Sequence, residues 1–196
     1  MIFAAGLGTR LRPLTDTMPK ALVRVGGEPL LHRVIMNLKS AGFERIVVNV
    51  HHFAEQIIDY LKTNDNFGLD IRISDESDAL LDTGGGIRKA APLFDPSSPI
   101  LIHNVDILHN VDLATFYESA ISHDATLMVS ERQTSRYLIF NDEMRLRAWI
   151  NIKTGEVKPQ PSQSTEGLRA AFSGLHVFSP RLFPLMAEWP DKFGII

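Results

Sequence analysis

The first half of the chain alternates short apolar runs with amphipathic segments, and this alternation constrains the fold more than any other feature. Apolar and β-branched clusters predict strands at residues 1–5, 45–50, 70–74 and 100–103. Helical periodicity predicts helices at residues 29–41, 53–62, 87–93 and 113–123. Asp112 is a suitable N-cap for the last of these helices. Strands joined through helices form right-handed crossovers, so the pattern predicts a mainly parallel sheet covered on both faces.

The second half of the chain has strand patterns without long helices between them. These strands are expected at residues 125–129, 137–140, 146–150 and 170–178. A polar loop is expected at 159–167 and a final helix at 181–188. We therefore predict an α/β fold, a three-layer α/β/α Rossmann-like and mostly parallel sheet with a small antiparallel extension, in a single domain over residues 1–196.

Composition excludes several classes of function. The net charge of −3 argues against a general nucleic-acid or anionic-membrane surface, because such surfaces need a basic excess. The chain has no cysteine, so disulfides and thiolate chemistry are excluded and a metal would need oxygen or imidazole ligands. No apolar run approaches the roughly 20 residues that cross a bilayer. We expect a cytoplasmic protein.

The loop after the first strand, residues 5–10 (the first loop), carries the strongest chemical signal. Gly6 and Gly8 let the backbone turn sharply and direct N–H groups at an anion. Three basic residues lie in or shortly after this loop: Arg10, Arg12 and Lys20. This combination of N–H groups and fixed positive charge is typical of a triphosphate site.

Two better-known phosphate-binding loops do not fit this string. A dinucleotide fingerprint needs a third glycine where Leu11 stands, which also disfavours a nicotinamide-dependent oxidoreductase. A Walker A loop needs Lys-Ser/Thr directly after its last glycine, and neither follows Gly8. The whole string, Gly-x-Gly-Thr-Arg-x-Arg-Pro-Leu-Thr followed by Pro19-Lys20, resembles the sugar nucleotidyltransferase family.

The resemblance covers about residues 1–188. Further matching segments lie at residues 22–30, 82–86, 103–106 and 172–177. Within the family, the N-acetylmuramate-1-phosphate uridylyltransferases and the mannose-1-phosphate guanylyltransferase-like proteins look most similar, and the Thr-Gly-Gly-Gly string favours the first group. The resemblance implies the nucleotide-diphospho-sugar transferase type of fold.

The resemblance also implies roles for individual residues. The phosphates would lie on the backbone N–H groups of Gly6, Leu7, Gly8 and Thr9. Arg10 would hold the β- and γ-phosphates, Lys20 would offset charge on the α-phosphate or the sugar phosphate, and Asp106 would bind Mg²⁺. The nucleobase would contact Thr83, Gly84 and Gly85. The same family pattern adds three residues to the nucleotide- and sugar-binding set: Ala5, Asn104 and Gly174.

The expected function is that of a sugar-1-phosphate nucleotidyltransferase of the EC 2.7.7 type, acting on a nucleoside triphosphate, with UTP or GTP favoured, and a sugar 1-phosphate. Most family members supply a second metal-binding aspartate from an Asp-x-Gly segment, and none follows residues 193–196, so the domain is expected to lack its C-terminal end. That absence keeps open an alternative, a non-catalytic module that binds a nucleotide or a nucleotide sugar. The sequence leaves the oligomeric state open.

Several polar residues also have ordinary structural interpretations. Three glycines in a row exceed what a helix start needs, so Gly84–Gly86 are expected to allow close approach of a ligand. The acidic residues between 75 and 82 are expected to form a solvated loop: Asp75, Glu76, Asp78 and Asp82. His103 and His176 lie in apolar strands and are expected to be core histidines.

Overall fold

A computed structural model describes residues 1–159 and 165–195 of the chain. The described residues divide into two compact units. Unit 1 contains Met1–Thr126 and His176–Ile195, and unit 2 contains Leu127–Leu175. The single domain proposed from the sequence for residues 1–196 stays a prediction.

Unit 1 is organised around parallel strands. Their bounds are Ile2–Phe3 for β1, Arg45–Val50 for β4, Asp70–Asp75 for β5 and Ile100–Asn104 for β6. They lie in the order β6-β1-β4-β5, and Ile2 pairs with both Val48 and His103. Residues 46–50 are all buried although neighbouring side chains of a strand point to opposite faces, so both faces of the sheet are covered. A short antiparallel pair, β2 (Arg24–Val25) and β3 (Glu28–Pro29), precedes the first helix.

Helices connect these strands, as the sequence predicts. They are α1 (Leu30–Ser40), α2 (Ala54–Thr63), α3 (Asp82–Ala90) and α4 (Leu113–Ala120). Helix α1 buries a stripe of apolar residues at helical spacing: Leu30, Leu31, Val34, Ile35 and Leu38. The predicted cap of α4 is confirmed, because the Asp112 carboxylate accepts the Thr115 N–H at 3.1 Å.

Helix α3 corrects the sequence prediction. We expected the helix to begin at residue 87, after the three glycines, whereas it begins at Asp82 and contains all three. Glycine weakens a helix, but Gly84 and Gly85 donate their N–H groups to the Phe193 carbonyl at 2.9 and 3.2 Å. Phe193, which is distant in sequence, thus provides the hydrogen-bond acceptor for two N–H groups in the first turn of α3. This contact supports a helix that local propensity disfavours.

One apolar cluster joins the sheet to the last part of unit 1. Val47, Ile100 and Ile102 of the sheet pack with Ile87 and Ala90 of α3, and the cluster also contains Phe178 and Met186. The predicted helix 181–188 is shorter in the structure, where a 3₁₀ turn at Pro180–Leu182 leads into α5 (Phe183–Met186). Among the described residues, no helix is long and apolar enough to span a membrane.

Unit 2 contains the four strands predicted for the second half of the chain and one that was not predicted. They are β7 (Ala125–Ser130), which begins two residues before the unit, β8 (Arg136–Phe140), β9 (Leu146–Asn151), β10 (Glu156–Lys158) and β11 (Leu168–Phe178), whose last residues belong to unit 1. The short polar strand β10 was not predicted. Strand β8 pairs antiparallel with β9 and with β11, and β9 pairs antiparallel with β10. Leu138, Phe140 and Ala170 form a small core against Trp149. Residues 160–164 of the predicted polar loop lie outside the described residues.

Candidate active site

The first loop leaves the carboxyl end of β1 and turns at Gly8. Gly8 has φ 63°, a left-handed conformation that disfavours residues with a Cβ. An added Cβ at Gly8 would also lie 2.9 Å from Thr15 Cγ2 and 3.0 Å from Lys20 Cβ. The buried Thr15 donates its hydroxyl to the Gly8 carbonyl at 2.9 Å. Gly8 is therefore required by its conformation and by the close packing of Thr15 and Lys20.

The N–H groups of the loop remain available for an anion. Within the described part of the chain, the backbone N–H groups of Gly6, Leu7 and Thr9 make no hydrogen bond, and these three residues are exposed. The N–H groups of Ala4 and Ala5 differ, because both donate to the side-chain oxygen of Asn49 at 2.7 and 3.3 Å. Ala5 therefore anchors the loop, and the N–H groups of Gly6, Leu7 and Thr9 that follow have no hydrogen-bond partner among the described residues.

Arg10 and Arg12 lie in different surroundings. Arg12 pairs with Asp16 four residues later at 3.3 Å. Arg10 is exposed, and within residues 1–159 and 165–195 it takes part in no ion pair. Of the two guanidinium groups, that of Arg10 is thus free to meet a phosphate.

Lys20 and Asp106 meet although 86 residues separate them. The Lys20 ammonium donates to Asp106 Oδ2, and the two side chains are 17% and 34% exposed. The Lys20 Cβ also packs closely against the backbone of Gly8, so this ion pair lies beside the first loop. Neighbouring parallel strands β1 and β6 bring the two segments together, because the first loop and Asp106 both follow the carboxyl ends of these strands.

A pair of neutral histidines holds the segment that carries Asp106. The Val111 N–H donates to His109 Nδ1 at 3.1 Å, so the proton of a neutral His109 ring lies on Nε2. That Nε2–H faces His103 Nε2 at 2.9 Å, and His103 Nδ1–H donates to the Asn104 carbonyl at 2.7 Å. Burial lowers the pKa of His103 to about 4 and lowers that of His109, so both rings are neutral at pH 7. The core assignment of His103 is confirmed, since it is fully buried.

The chain supplies few of the ligands that a metal ion needs. Over the described residues, no group of three or more His, Cys, Asp or Glu side chains is placed to hold a metal. Asp106 is a single, partly exposed carboxylate. Mg²⁺ commonly binds one or two carboxylates together with substrate phosphates and water, so Asp106 fits this ion when a nucleotide is present.

Two of the three glycines of α3, Gly84 and Gly85, are covered by residues 191–195. A Cβ at Gly84 would lie 2.1 Å from the Phe193 ring, and a Cβ at Gly85 would lie 2.2 Å from the Asp191 carbonyl. Thr83 Oγ1 accepts the Ile195 N–H at 2.9 Å. The close approach that we expected from a ligand is thus made by the chain itself. The assignment of Thr83, Gly84 and Gly85 to the nucleobase stays a prediction.

Arg88 fixes the path of this covering segment. Its guanidinium donates to the carbonyls of Met186, Trp189 and Pro190 at 2.6–3.1 Å and to the Asp191 carboxylate at 2.8 Å. It also lies over the Phe193 ring, 5.4 Å from the ring centroid. One cation on α3 thereby holds Met186, Trp189 and Pro190, which precede the covering segment, and Asp191 and Phe193 within it.

The remaining predicted site residues lie at strand ends or in the second unit. Asn104 ends β6, is partly buried, and offers its carbonyl to His103 and to the Ile107 N–H. Gly174 lies in β11 within unit 2 and has φ 81°. Its role in sugar binding stays a prediction.

The burial of Glu76 was not predicted from the sequence. We expected a solvated acidic loop; Asp75, Asp78 and Asp82 are indeed exposed, although Asp75 ends β5 and Asp82 begins α3. Glu76, in contrast, is fully buried. The strand before it, Asp70–Asp75, has only two apolar residues, Ile71 and Ile73, so apolar pattern did not mark the position of Glu76 as buried. Charge pattern alone did not separate it from its exposed neighbours.

Comparison with known proteins identifies the family. The family model described as nucleotidyl transferase matches residues 1–187. The chain belongs to the nucleotidyl transferase family. The expected sugar nucleotidyltransferase resemblance is thereby confirmed.

Several named relatives support this assignment. The chain is 43% identical over 122 residues to the N-acetylmuramate alpha-1-phosphate uridylyltransferase of Neisseria meningitidis, an alignment covering 62% of this chain and 52% of the relative. It is 31% identical over 201 residues to the UTP--glucose-1-phosphate uridylyltransferase of Synechocystis, covering 93% and 49% of the two chains. The chain thus spans about half the length of these curated relatives.

Solved structures share the fold of this chain. HddC from Yersinia pseudotuberculosis, in a crystal structure with GMP-PN, matches with a TM-score of 0.75 at 24% identity, over 98% of this chain and 80% of that chain. A putative glucose-1-phosphate thymidylyltransferase from Bacillus anthracis matches with a TM-score of 0.76 at 16% identity, over 96% and 74%. At these identities the likeness confirms the predicted fold, a mostly parallel sheet with helices.

Proposed function

We propose that this nucleotidyl transferase chain carries a domain that transfers a nucleoside monophosphate from UTP or GTP to a sugar 1-phosphate, releasing pyrophosphate and forming an NDP-sugar. The observation that carries this proposal is the Lys20–Asp106 pair beside the exposed N–H groups of the first loop. A cation, a carboxylate and free N–H groups then meet at one edge of a parallel sheet, where α/β folds bind their ligands.

The side chains would act by positioning the reactants and offsetting charge. The N–H groups of residues 6–9 would bind the triphosphate, and Arg10 would hold the β- and γ-phosphates through its exposed guanidinium. Lys20, already held beside the loop, would offset charge on the α-phosphate as the sugar phosphate approaches. Val111, His109 and His103 would keep the segment of Asp106 in place through their directed hydrogen bonds.

The reaction itself needs no general base. A phosphate oxygen of the sugar 1-phosphate attacks the α-phosphorus, the bond to the bridging β-oxygen breaks, and pyrophosphate leaves with the electron pair. The attacking oxygen is already anionic at pH 7, so catalysis rests on alignment and charge stabilisation. Asp106 would hold Mg²⁺, which supplies Lewis-acid charge stabilisation when bound with the nucleotide.

Among substrates, we propose UTP first, because the N-acetylmuramate alpha-1-phosphate uridylyltransferase named above is the more identical of the two relatives compared. An N-acetylmuramate-type sugar 1-phosphate is then the first acceptor to test. Thr83, Gly84 and Gly85 would lie near the base, and Gly174 near the sugar.

No contact among the described residues favours the non-catalytic binding module. We place the reaction in the cytoplasm, as the composition suggests.

A pyrophosphate-release assay tests the proposal. The protein is incubated with Mg²⁺, one of UTP, GTP, CTP or dTTP, and a panel of sugar 1-phosphates. We expect release that requires both substrates, is greatest with UTP or GTP, and stops when EDTA removes the metal. Nucleotide binding without release under any combination would contradict transfer and support the binding module, and no nucleotide binding at all would contradict both.

A further inference from the structure

Glu76 is a buried carboxylate whose two oxygens contact different parts of the site. It follows β5 directly and its side chain has no exposed surface. Oε1 accepts the Asn49 amide Nδ2–H at 2.8 Å, and Oε2 accepts the Leu81 N–H at 3.1 Å. Burying a carboxylate is costly unless it is well hydrogen-bonded, so the partners of Glu76 must be in place for the fold to tolerate it.

Asn49 links this carboxylate to the first loop. Its Oδ1 accepts the N–H groups of Ala4 and Ala5, which directly precede Gly6. An asparagine amide both donates and accepts, so the one side chain joins Glu76 to the start of the loop. Asn49 is 4% exposed, which protects these hydrogen bonds from water.

Leu81 links the same carboxylate to the start of α3. It is the residue before Asp82, and the Thr83–Gly85 turn follows at once. The position of Glu76 is itself fixed, because its N–H donates to the Val50 carbonyl at 2.8 Å and its carbonyl accepts His51 Nδ1–H at 2.6 Å. A continuous hydrogen-bond path therefore joins the first loop to the amino end of α3.

Gly86 provides the space that this path needs. A Cβ at Gly86 would lie 2.8 Å from Glu76 Oε1 and 3.4 Å from Asn49 Nδ2. The first distance is shorter than real Cβ contacts, and both atoms belong to the hydrogen bond between Glu76 and Asn49. The third glycine of the trio thus accommodates the Glu76 carboxylate, a different role from that of Gly84 and Gly85.

We propose that Glu76, acting through Asn49 and Leu81, is a positioning residue. It sets the spacing between the first loop, which would bind the triphosphate, and the amino end of α3, which would contact the nucleobase. This inference rests on the proposed function. Glu76 has no exposed surface through which to touch a substrate, so it acts on affinity for the nucleoside triphosphate. The sugar 1-phosphate is not held by this path, so its KM serves as an internal reference.

A donor–acceptor swap tests the proposal. In Glu76→Gln, one acceptor oxygen becomes an NH₂ group that faces either the Asn49 amide or the Leu81 N–H, both of them donors. In Asn49→Asp, the donor to Glu76 is lost and two carboxylates face each other. In the double variant Glu76→Gln/Asn49→Asp, the new amide donates to the new carboxylate while its oxygen accepts the Leu81 N–H, and the Ala4 and Ala5 N–H groups keep their acceptor.

We expect each single variant to raise the KM for the nucleoside triphosphate about tenfold or more, with the KM for the sugar 1-phosphate little changed, and the double variant to recover most of the loss. Gly86→Ala should resemble the single variants. Ile46→Val, a buried change at the amino end of β4, is the control for lost stability alone and should leave both KM values unchanged. Unchanged KM values in both single variants, or a double variant no better than either, would overturn the proposal.

Amide hydrogen exchange measured by NMR separates this inference from the proposed function. The Ala4, Ala5 and Leu81 amides should be protected in the wild type, exchange faster in each single variant, and regain protection in the double variant. If the wild type binds no nucleotide, the proposed function fails and the exchange pattern alone decides whether Glu76 couples the two segments. Independent behaviour of the Ala4/Ala5 and Leu81 amides would overturn the coupling.

Discussion

At the scale of single residues, some charged side chains of the candidate site are exposed and unpaired, whereas others already form an ion pair within the described residues. Arg10 is exposed, whereas Arg12 two residues later pairs with Asp16. Lys20 and Asp106 pair with each other across a long stretch of sequence. These differences allow matched substitutions in which one residue tests function and a neighbour of the same type serves as its control.

Arg10→Ala should weaken nucleoside triphosphate binding about 10- to 100-fold, because it removes a charge-assisted contact to phosphate of a kind typically worth about 1.5–3 kcal/mol. Stability should be unchanged, since Arg10 is exposed. Isothermal titration with UTP and Mg²⁺ measures the affinity. Arg12→Ala is the control. Equal effects of the two substitutions would contradict a specific role for Arg10.

Asp106→Asn should keep the fold and part of the nucleotide binding, and should slow Mg²⁺-dependent transfer at least about 100-fold, because the one carboxylate beside Lys20 is lost. Initial rates across a range of Mg²⁺ concentrations measure the effect. Asp16→Asn removes an exposed carboxylate from the first-loop region and should leave the rate unchanged. A wild-type rate in Asp106→Asn would make the metal assignment wrong.

At the scale of elements, α3 depends on residues 191–195 for its first turn. Gly84 and Gly85 donate N–H groups to Phe193. Arg88 holds the start of the same segment at Asp191 and the chain just before it at Met186, Trp189 and Pro190. Residues 191–195 pack so closely on Gly84 and Gly85 that any larger side chain at these two positions would push the segment away from α3. Substitutions that enlarge these glycines therefore test folding before they test ligand binding.

Gly85→Ala should lower the free energy of unfolding by roughly 1–3 kcal/mol, because its Cβ would lie 2.2 Å from the Asp191 carbonyl and force segment 191–195 away from α3. Urea unfolding measures the change. Gly6→Ala is the control for stability, since a Cβ there has no atom within 4 Å. If Gly85→Ala is as stable as the wild type, residues 191–195 do not pack on α3 in solution.

At the scale of the whole molecule, buried histidines make stability depend on pH. Burial lowers the pKa of His103 and of His176 to about 4, from the usual 6.5. Below about pH 6.5, these two histidines therefore bind protons in the unfolded chain while they remain neutral in the folded chain. Stability should be greatest above pH 6.5 and should fall as the pH drops toward 4, where the folded rings also become protonated.

We expect the unfolding free energy, measured in urea at pH 7.0, 5.5 and 4.5, to decrease by a few kcal/mol over this range. His103→Asn should make the decrease smaller, whatever its effect on stability at pH 7. His123→Gln, which changes an exposed histidine, is the control for replacing a histidine outside the core. A pH dependence unaltered by His103→Asn would mean that His103 is not buried in neutral form.

Local pattern in the sequence determined most of the elements and part of the site. Apolar spacing predicted α1 and β4 within one or two residues, because burying a helix face or both faces of a parallel strand leaves a regular signature. Gly6, Gly8, Arg10 and Lys20 were proposed from one motif, since the residues of a loop lie close in sequence. Their role in phosphate binding stays a prediction. The parallel order of strands then implied that Asp106 lies near that loop.

Only the tertiary structure decided which groups are paired, buried or free. Asn49 contacts Ala4 across 45 positions and Glu76 across 27, and Phe193 covers Gly84 across more than 100. Periodicity records whether a residue faces the core, but not which distant group meets it there. Glu76 therefore looked like its solvated neighbours, and the three glycines looked like a ligand site, until long-range hydrogen bonds and close packing gave each of them a partner.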